Sequence, residues 1–258
     1  MKNHFNAKRF SLLFQKHTAE NYKTYLMALL VLVGAMLLIL STASYLAGSP
    51  PNLNAQAAFF VFFLLAAGTI FTSSVFASLG DSKRAISFLT LPASTLEKYL
   101  VAWLYSFLFF SLLYIPAFYL VDYLVVGLDW RTSGQAPILN VFEKEKALYY
   151  VFLLYAFLHA FTLVGAILFR KGHFIKIAAI GLVAFFIVVL LNKQVLQVML
   201  GPEVQSAVPF DMVTLEESKQ YFQLDVSEAW SVGKWLVPVA LALITWAAAY
   251  FKLKEKQV

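Results

Sequence analysis

Six runs of the chain are long, oily and free of Asp, Glu, Lys and Arg: Tyr25 to Leu46, Ala57 to Leu79, Tyr99 to Val121, Ala147 to Phe169, Ile177 to Asn192 and Trp235 to Phe251. An α-helix rises 1.5 Å per residue and the hydrocarbon core of a bilayer is about 30 Å thick, so about twenty apolar residues cross it. One charge at mid-membrane costs about 2.5–3.5 kcal/mol on the insertion scale, which makes uncharged stretches of this length a strong signal for spans. The fifth run is the shortest. It gains Phe174 and Ile175, with Lys176 snorkelling at its end, so the span is placed at about 174–192. Composition agrees: 61% of the 258 residues are hydrophobic and 13% are charged, with a mean hydropathy of +0.74. The expected fold class is an all-α integral membrane protein with six transmembrane helices. The apolar run after residue 24 exceeds a signal-peptide core, so it is read as a retained span.

Basic residues set the expected orientation. The N-terminal arm, the stretch before the third span, the turn between spans four and five and the tail hold fourteen Lys and Arg, against six in the alternate segments. The positive-inside rule then puts both termini in the cytoplasm. Acidic residues divide four to ten the opposite way, so the inner face nets +10 and the outer face −4. The formal charge of +6 is therefore assigned to orientation and membrane lipids, and no nucleic-acid partner is expected.

The chain reads as one transmembrane domain, 1–258, with an amphipathic cytoplasmic arm over 1–24. Phe10, Leu13, Phe14, His17, Tyr22 and Tyr25 recur there at helical spacing, as in a basic helix lying in the membrane interface. Such an arm serves as a simple anchor or as a partner-contacting elbow. The extracytoplasmic segment 193–234 is the largest outside the membrane. "KQVLQVMLGPEV" predicts a short amphipathic helix stopped by Gly201 and Pro202, and "FDMVTLEESKQYFQLDV" allows a hairpin. Gly34, Gly68 and Gly165 permit close helix approach, while Pro116 and Pro238 mark kinks or entry turns.

Several chemistries are excluded. There is no cysteine, hence no thiol nucleophile, disulfide or cysteine-bound metal. No G-x-x-x-x-G-K-[ST] loop and no H-E-x-x-H motif occurs, so the chain binds no ATP in the P-loop manner and no histidine-held metal is expected. Glu216 and Glu217 lie outside the spans without the context of an intramembrane protease. His159, in "YAFLHAFTLVG", is the one ionisable group deep inside a span. It is a possible intramembrane polar site lining a pathway, or a neutral imidazole bonded to a neighbouring helix.

The stretch "SLGDSKRAISFLTLPASTLEKYL", Ser78 to Leu100, separates spans two and three. Gly80 can end the second span and Asp81 can cap a short helix from Ser82 to about Leu89. Pro92 disfavours helix at Leu91. Ser94 and Glu97 form a capping box that restarts a helix through Lys98 into the third span. The expected product is a cytoplasmic elbow, helix–short helix–helix, over 80–98. Such an elbow passes a push from a soluble partner to two crossing helices, or rests on lipid as an interfacial helix.

The six-span plan, the arm, the insert and above all "FLTLPASTLEKYLVAWL" resemble the permease subunits of type-2 ATP-binding-cassette (ABC) exporters. The resemblance covers the whole chain in layout and about twenty residues in motif. It implies that the insert is the coupling helix, with Asp81, Lys83, Arg84, Ser87 and Phe88 touching an ABC ATPase subunit. It further implies a dimer with a second permease copy or paralogue in a bacterial inner membrane. The chain itself would be non-catalytic and bind no cofactor, ATP and Mg entering through the partner ATPase. A non-transporting membrane scaffold or assembly factor is the alternative. An intramembrane enzyme lacks a catalytic pair.

Overall fold

The structure is a computed structural model that describes residues 5–76, 85, 86, 88, 90–128, 137–143, 148–169, 173–201, 204–207, 213–217, 220–224 and 233–256. Among the described residues six helices are long and apolar enough to cross a membrane, which makes the chain a multi-pass membrane protein. They are α1 (Ala7–Ala47), α2 (Leu53–Val75), α3 (Thr95–Gly127), α4 (Val151–Leu168), α5 (His173–Leu200) and α6 (Gly233–Glu255). Between α5 and α6 the described residues form three antiparallel strands in the order β1 (Val204–Ala207), β2 (Val213–Glu217) and β3 (Gln220–Leu224).

Consecutive helices run in opposite directions. At one end, here the Glu97 end, Phe76, Tyr99, Leu163, Ala166, Ile167, Ala249 and Leu253 pack into one buried cluster. At the other, the Leu139 end, Met36, Leu40, Phe60, Leu64, Tyr114, Phe118, Val121, Leu139, Val141 and Tyr155 form a second. Lipid tails are as apolar as Leu, so helices in a bilayer associate through close packing and interhelical hydrogen bonds. Two glycines show how close. A Cβ on Gly68 would stand 2.3 Å from the Tyr155 ring, and one on Gly165 would stand 2.1 Å from Ile177 Cγ1. Gly34, expected to do the same, has nothing within 4 Å of its Cβ direction.

The turns follow their residues. Gly48 ends α1 with φ 67°, a left-handed conformation that costs glycine little. Asn52 then caps α2, its side chain accepting from Ala55 N–H at 2.9 Å. The hairpin allowed by the sequence is present, with Val213 opposite Leu224 and Glu217 opposite Gln220. Its companion β1, paired with β2 through a shifted register, was not expected.

Three expectations about helices are corrected. The arm and first span are one uninterrupted helix of 41 residues, roughly 60 Å long. Its N-terminal half packs along α3 rather than forming a separate element. Arg9, Phe10, Leu13, Phe14, His17, Asn21 and Tyr25 form the half-buried stripe, whereas Tyr22 is 53% exposed on the other side. Second, the predicted amphipathic helix over 193–200 is the end of α5, which stops at Gly201 with φ 103°. Third, α3 runs on past the end of its uncharged run to include Asp122, while Glu97 and Lys98 lie in its first turn where the capping box places them; all three are at 2% exposure or less. Their polar atoms meet protein rather than water, so an uncharged window underestimates the length of the helix. Tyr99 is likewise buried, its hydroxyl donating to the Trp246 carbonyl at 2.9 Å.

Candidate functional site

At the Glu97 end a buried carboxylate binds the first turn of α3 to the start of α1. Ser94 is the N-cap: its Oγ accepts from Glu97 N–H at 3.2 Å, and Glu97 Oε2 accepts from Ser94 N–H at 2.9 Å. This is the reciprocal capping box that the sequence predicts. The other oxygen, Oε1, reaches outside the helix, accepting from Asn6 N–H at 2.8 Å and Arg9 Nη2 at 3.0 Å. Asn6 is itself the N-cap of α1, its side chain accepting from Lys8 and Arg9 N–H. The caps of two helices are therefore joined through one carboxylate, itself in the first turn, where the helix dipole favours negative charge.

Lys98 lies beside it, 2% exposed, with its ammonium 5.6 Å from the centre of the Phe88 ring. Phe88 also meets Phe76 edge to face at 6.2 Å. Its ring packs on the chain's own core. Ala85, Ile86 and Phe88 are helical, and Thr90 N–H donates to Ile86 C=O at 2.9 Å. The chain then turns at the exposed Pro92. Asp81, Lys83, Arg84 and Ser87, assigned partner contact by the resemblance, lie outside the described residues.

Midway between the two ends, α3 widens into a π-helical turn, Leu104–Phe109. Such turns interrupt the regular hydrogen-bond ladder and are frequent at functional sites. Neighbouring helices hold this one in place. Tyr155 of α4 donates its hydroxyl to the Ser106 carbonyl at 2.8 Å. His159, fully buried, has Nε2 2.8 Å from Ser106 Oγ, and its Nδ1 accepts from Trp246 Nε1–H of α6 at 3.0 Å. An indole nitrogen only donates, so Nδ1 carries no proton and the ring is the neutral Nε2–H tautomer. Nε2–H then donates to Ser106 Oγ, and Ser106 Oγ–H donates to the Ala102 carbonyl at 2.8 Å. The chain from Trp246 through His159 and Ser106 to Ala102 has every donor matched. Both ring nitrogens are engaged by neighbouring helices, which is the helix-bonding reading of His159. Phe107 stacks on Tyr155 at 5.6 Å, and Phe107 and Trp246 flank the imidazole.

Sequence reasoning missed Asn6 and Arg9 as partners of Glu97, Ser106 and Trp246 as partners of His159, and Tyr155 as the donor to the Ser106 carbonyl. A single His in an apolar run signals that polar partners exist somewhere, and Ser106 and Trp246 are polar-tipped residues in otherwise oily runs. Asp122, the first residue past the third uncharged run, is fully buried in α3. Its Oδ2 is 3.4 Å from Leu139 N–H, which also donates to Gln56 Oε1 at 2.8 Å, and its Oδ1 has no hydrogen-bond partner among the described residues. Among the described residues no three His, Asp or Glu side chains converge as a metal site would need.

No protein-family model, no curated protein and no solved structure matches this chain.

Proposed function

We propose that the chain is the membrane-spanning subunit of an exporter driven by a separate ABC-type ATPase, working as a dimer in a bacterial inner membrane with both termini cytoplasmic. In this reading the segment 80–91 receives the motion of the ATPase, and Asp81, Lys83, Arg84 and Ser87 touch it. The observation that carries the reading is the Glu97 junction. A push delivered just before Pro92 meets a helix start whose cap is tied to the start of α1 through Asn6 and Arg9. Two crossing helices would then move as a unit, because interfaces and packed cores shift between discrete arrangements instead of deforming continuously. Phe88, held against Phe76 and Lys98, serves in this reading as the internal end of the lever.

Affinity purification of the full chain in mild detergent tests the proposal: a P-loop ATPase should be recovered in roughly stoichiometric amount. Arg84→Glu should lose that ATPase, whereas Glu97→Ala should retain it and lose the coupling of its hydrolysis to the membrane subunit. Recovery of no ATPase, or an Arg84→Glu variant that binds it normally, rejects the reading. The scaffold alternative has one observation in its favour, since the buried polar groups around His159 are all committed to each other. An ATPase-free complex with other membrane proteins would support it.

A further inference from the structure

Two carboxyl groups are fully buried in α3, and their surroundings differ. Glu97 accepts from three donors, Ser94 N–H, Asn6 N–H and Arg9 Nη2. Asp122, at 0% exposure, has no such support. Its Oδ1 has no hydrogen-bond partner among the described residues. Its Oδ2 is 3.4 Å from Leu139 N–H, a donor that Gln56 Oε1 holds better at 2.8 Å. No ion pair among the described residues includes it. We infer that the Asp122 carboxyl is a proton-binding site, which keeps the segment 137–143 closed over the Leu139 end while the proton is bound and loosens it when the proton leaves. Such a latch needs no ATPase partner.

The segment above this carboxyl alternates in burial: Leu139 and Val141 are fully buried, whereas Ile138, Asn140 and Phe142 face outward. Two side chains stitch it down. Gln56 of α2 donates through Nε2 to the Pro51 and Pro137 carbonyls at 2.8 and 3.0 Å and accepts from Leu139 N–H. Tyr119 of α3 accepts from Val141 N–H at 3.0 Å. Neither stitch reaches Asp122 Oδ1. A bare carboxylate sealed there loses its water and gains no donor in return, so the buried acid takes up a proton instead. With the proton on Oδ1, Oδ2 remains the acceptor facing Leu139 N–H, and the cover buries a neutral group.

The neighbouring elements bring no compensating charge. α2 has no titratable side chain, and α1 beyond Lys23 has only the phenols of Tyr25 and Tyr45. α3 adds the phenols of Tyr119 and Tyr123, the stretch before α4 adds that of Tyr150, and the cover itself carries Glu143, a second acid. Opened to water, an aspartate has a pKa of about 3.9, and the proton of Asp122 passes to solvent. At any higher pH, closing takes a proton back, so each further pH unit weakens closure by up to about tenfold until the covered carboxyl itself ionises. Acid closes the cover and alkali loosens it.

Because the chain contains no cysteine, one introduced thiol reports on the cover. In the full chain reconstituted in nanodiscs, Val141→Cys places a thiol beneath it, and Phe142→Cys, at a position 59% exposed, places one outside. The ratio of their maleimide labelling rates removes the pH dependence common to both thiols. From about pH 5 to about pH 8 this ratio should rise about tenfold or more. Asp122→Asn, a neutral group of the same shape, should leave it low and flat. Where Val141→Cys does not fold, hydrogen exchange of the 137–143 amides, corrected for its intrinsic pH dependence, reads the same opening. Infrared difference spectra between wild type and Asp122→Asn at neutral pH should show the carbonyl stretch of one protonated carboxyl. A flat ratio in the wild type, or an equal rise in Asp122→Asn, would overturn the latch. A carboxylate band in place of the protonated one, as pairing with a cation would give, would overturn the proton site itself.

Discussion

Spans α4 and α5 are both uncharged through their centres and equally able to cross a bilayer, yet half of the apolar window of α4 is buried in the bundle against 6% of that of α5. The buried face of α4 consists of Tyr155, His159, Ala160, Thr162, Leu163, Gly165, Ala166 and Ile167. On α5, Phe185, Phe186, Ile187, Val188, Leu190 and Leu191 are each at least half exposed. Oiliness places both helices in the membrane and says nothing about what they face. Small residues that admit a neighbouring backbone, and polar atoms that need a partner, decide which one becomes the core.

The strongest way to break this comparison is to enlarge a glycine on each side of it. Gly165→Leu must displace Ile177, already 2.1 Å from the Cβ position of an alanine, and should cost about 3 kcal/mol. Gly181→Leu, with only Phe161 at 4.0 Å, should shift stability by less than about 0.5 kcal/mol. Thermal unfolding of the two variants in one detergent reads the difference, and equal losses would mean that α5 is packed like α4. Next in size is Glu97→Ala, which removes the acceptor of three backbone or side-chain donors. With Arg9 35% exposed and therefore able to recover water, the expected loss is about 2 kcal/mol. Proteolysis should then begin near residue 6, because the start of α1 has lost its tie, and an unchanged cleavage pattern would contradict the junction.

His159→Leu should cost about 1 kcal/mol, the scale of an interhelical hydrogen bond in a membrane, since it strands the Trp246 indole N–H. A blue shift of tryptophan emission should accompany it, and Trp246→Phe placed in the same background should add almost nothing. Additive losses would show that the two residues are not coupled. The smallest effect belongs to Leu190→Ala, 59% exposed on α5, expected to change stability by less than about 0.5 kcal/mol. A loss several times larger would reveal a protein partner on that face.

Local features were legible because their causes are local. The Ser94–Glu97 capping box involves residues three apart, and the 213–224 hairpin needs only alternation around a polar turn. The partners of Glu97 were hidden because Asn6 and Arg9 lie 91 and 88 positions away. The continuity of α1 was hidden for a related reason. Its polar N-terminal half resembles an interfacial helix in isolation, and the Tyr105 ring, with centroids 5.1 Å from Phe14 and 4.6 Å from His17, gives that stripe a protein surface to cover. Asp122 was misplaced because a carboxylate marks the end of a span only where it meets water, and here Leu139 and Gln56 close over it.

By itself the sequence determined that six helices enter a bilayer, since transfer of uncharged apolar side chains from water is a property of each segment alone. It also determined where α3 restarts, since a cap bonds to its own first turn. Only the tertiary structure decided which helix lies in the middle, which neighbours satisfy His159, and that one carboxylate holds two helix starts together. Those outcomes depend on distances between residues far apart in the chain, and inside lipid, where burial rewards every apolar face alike, shape and hydrogen bonding were left to choose among them.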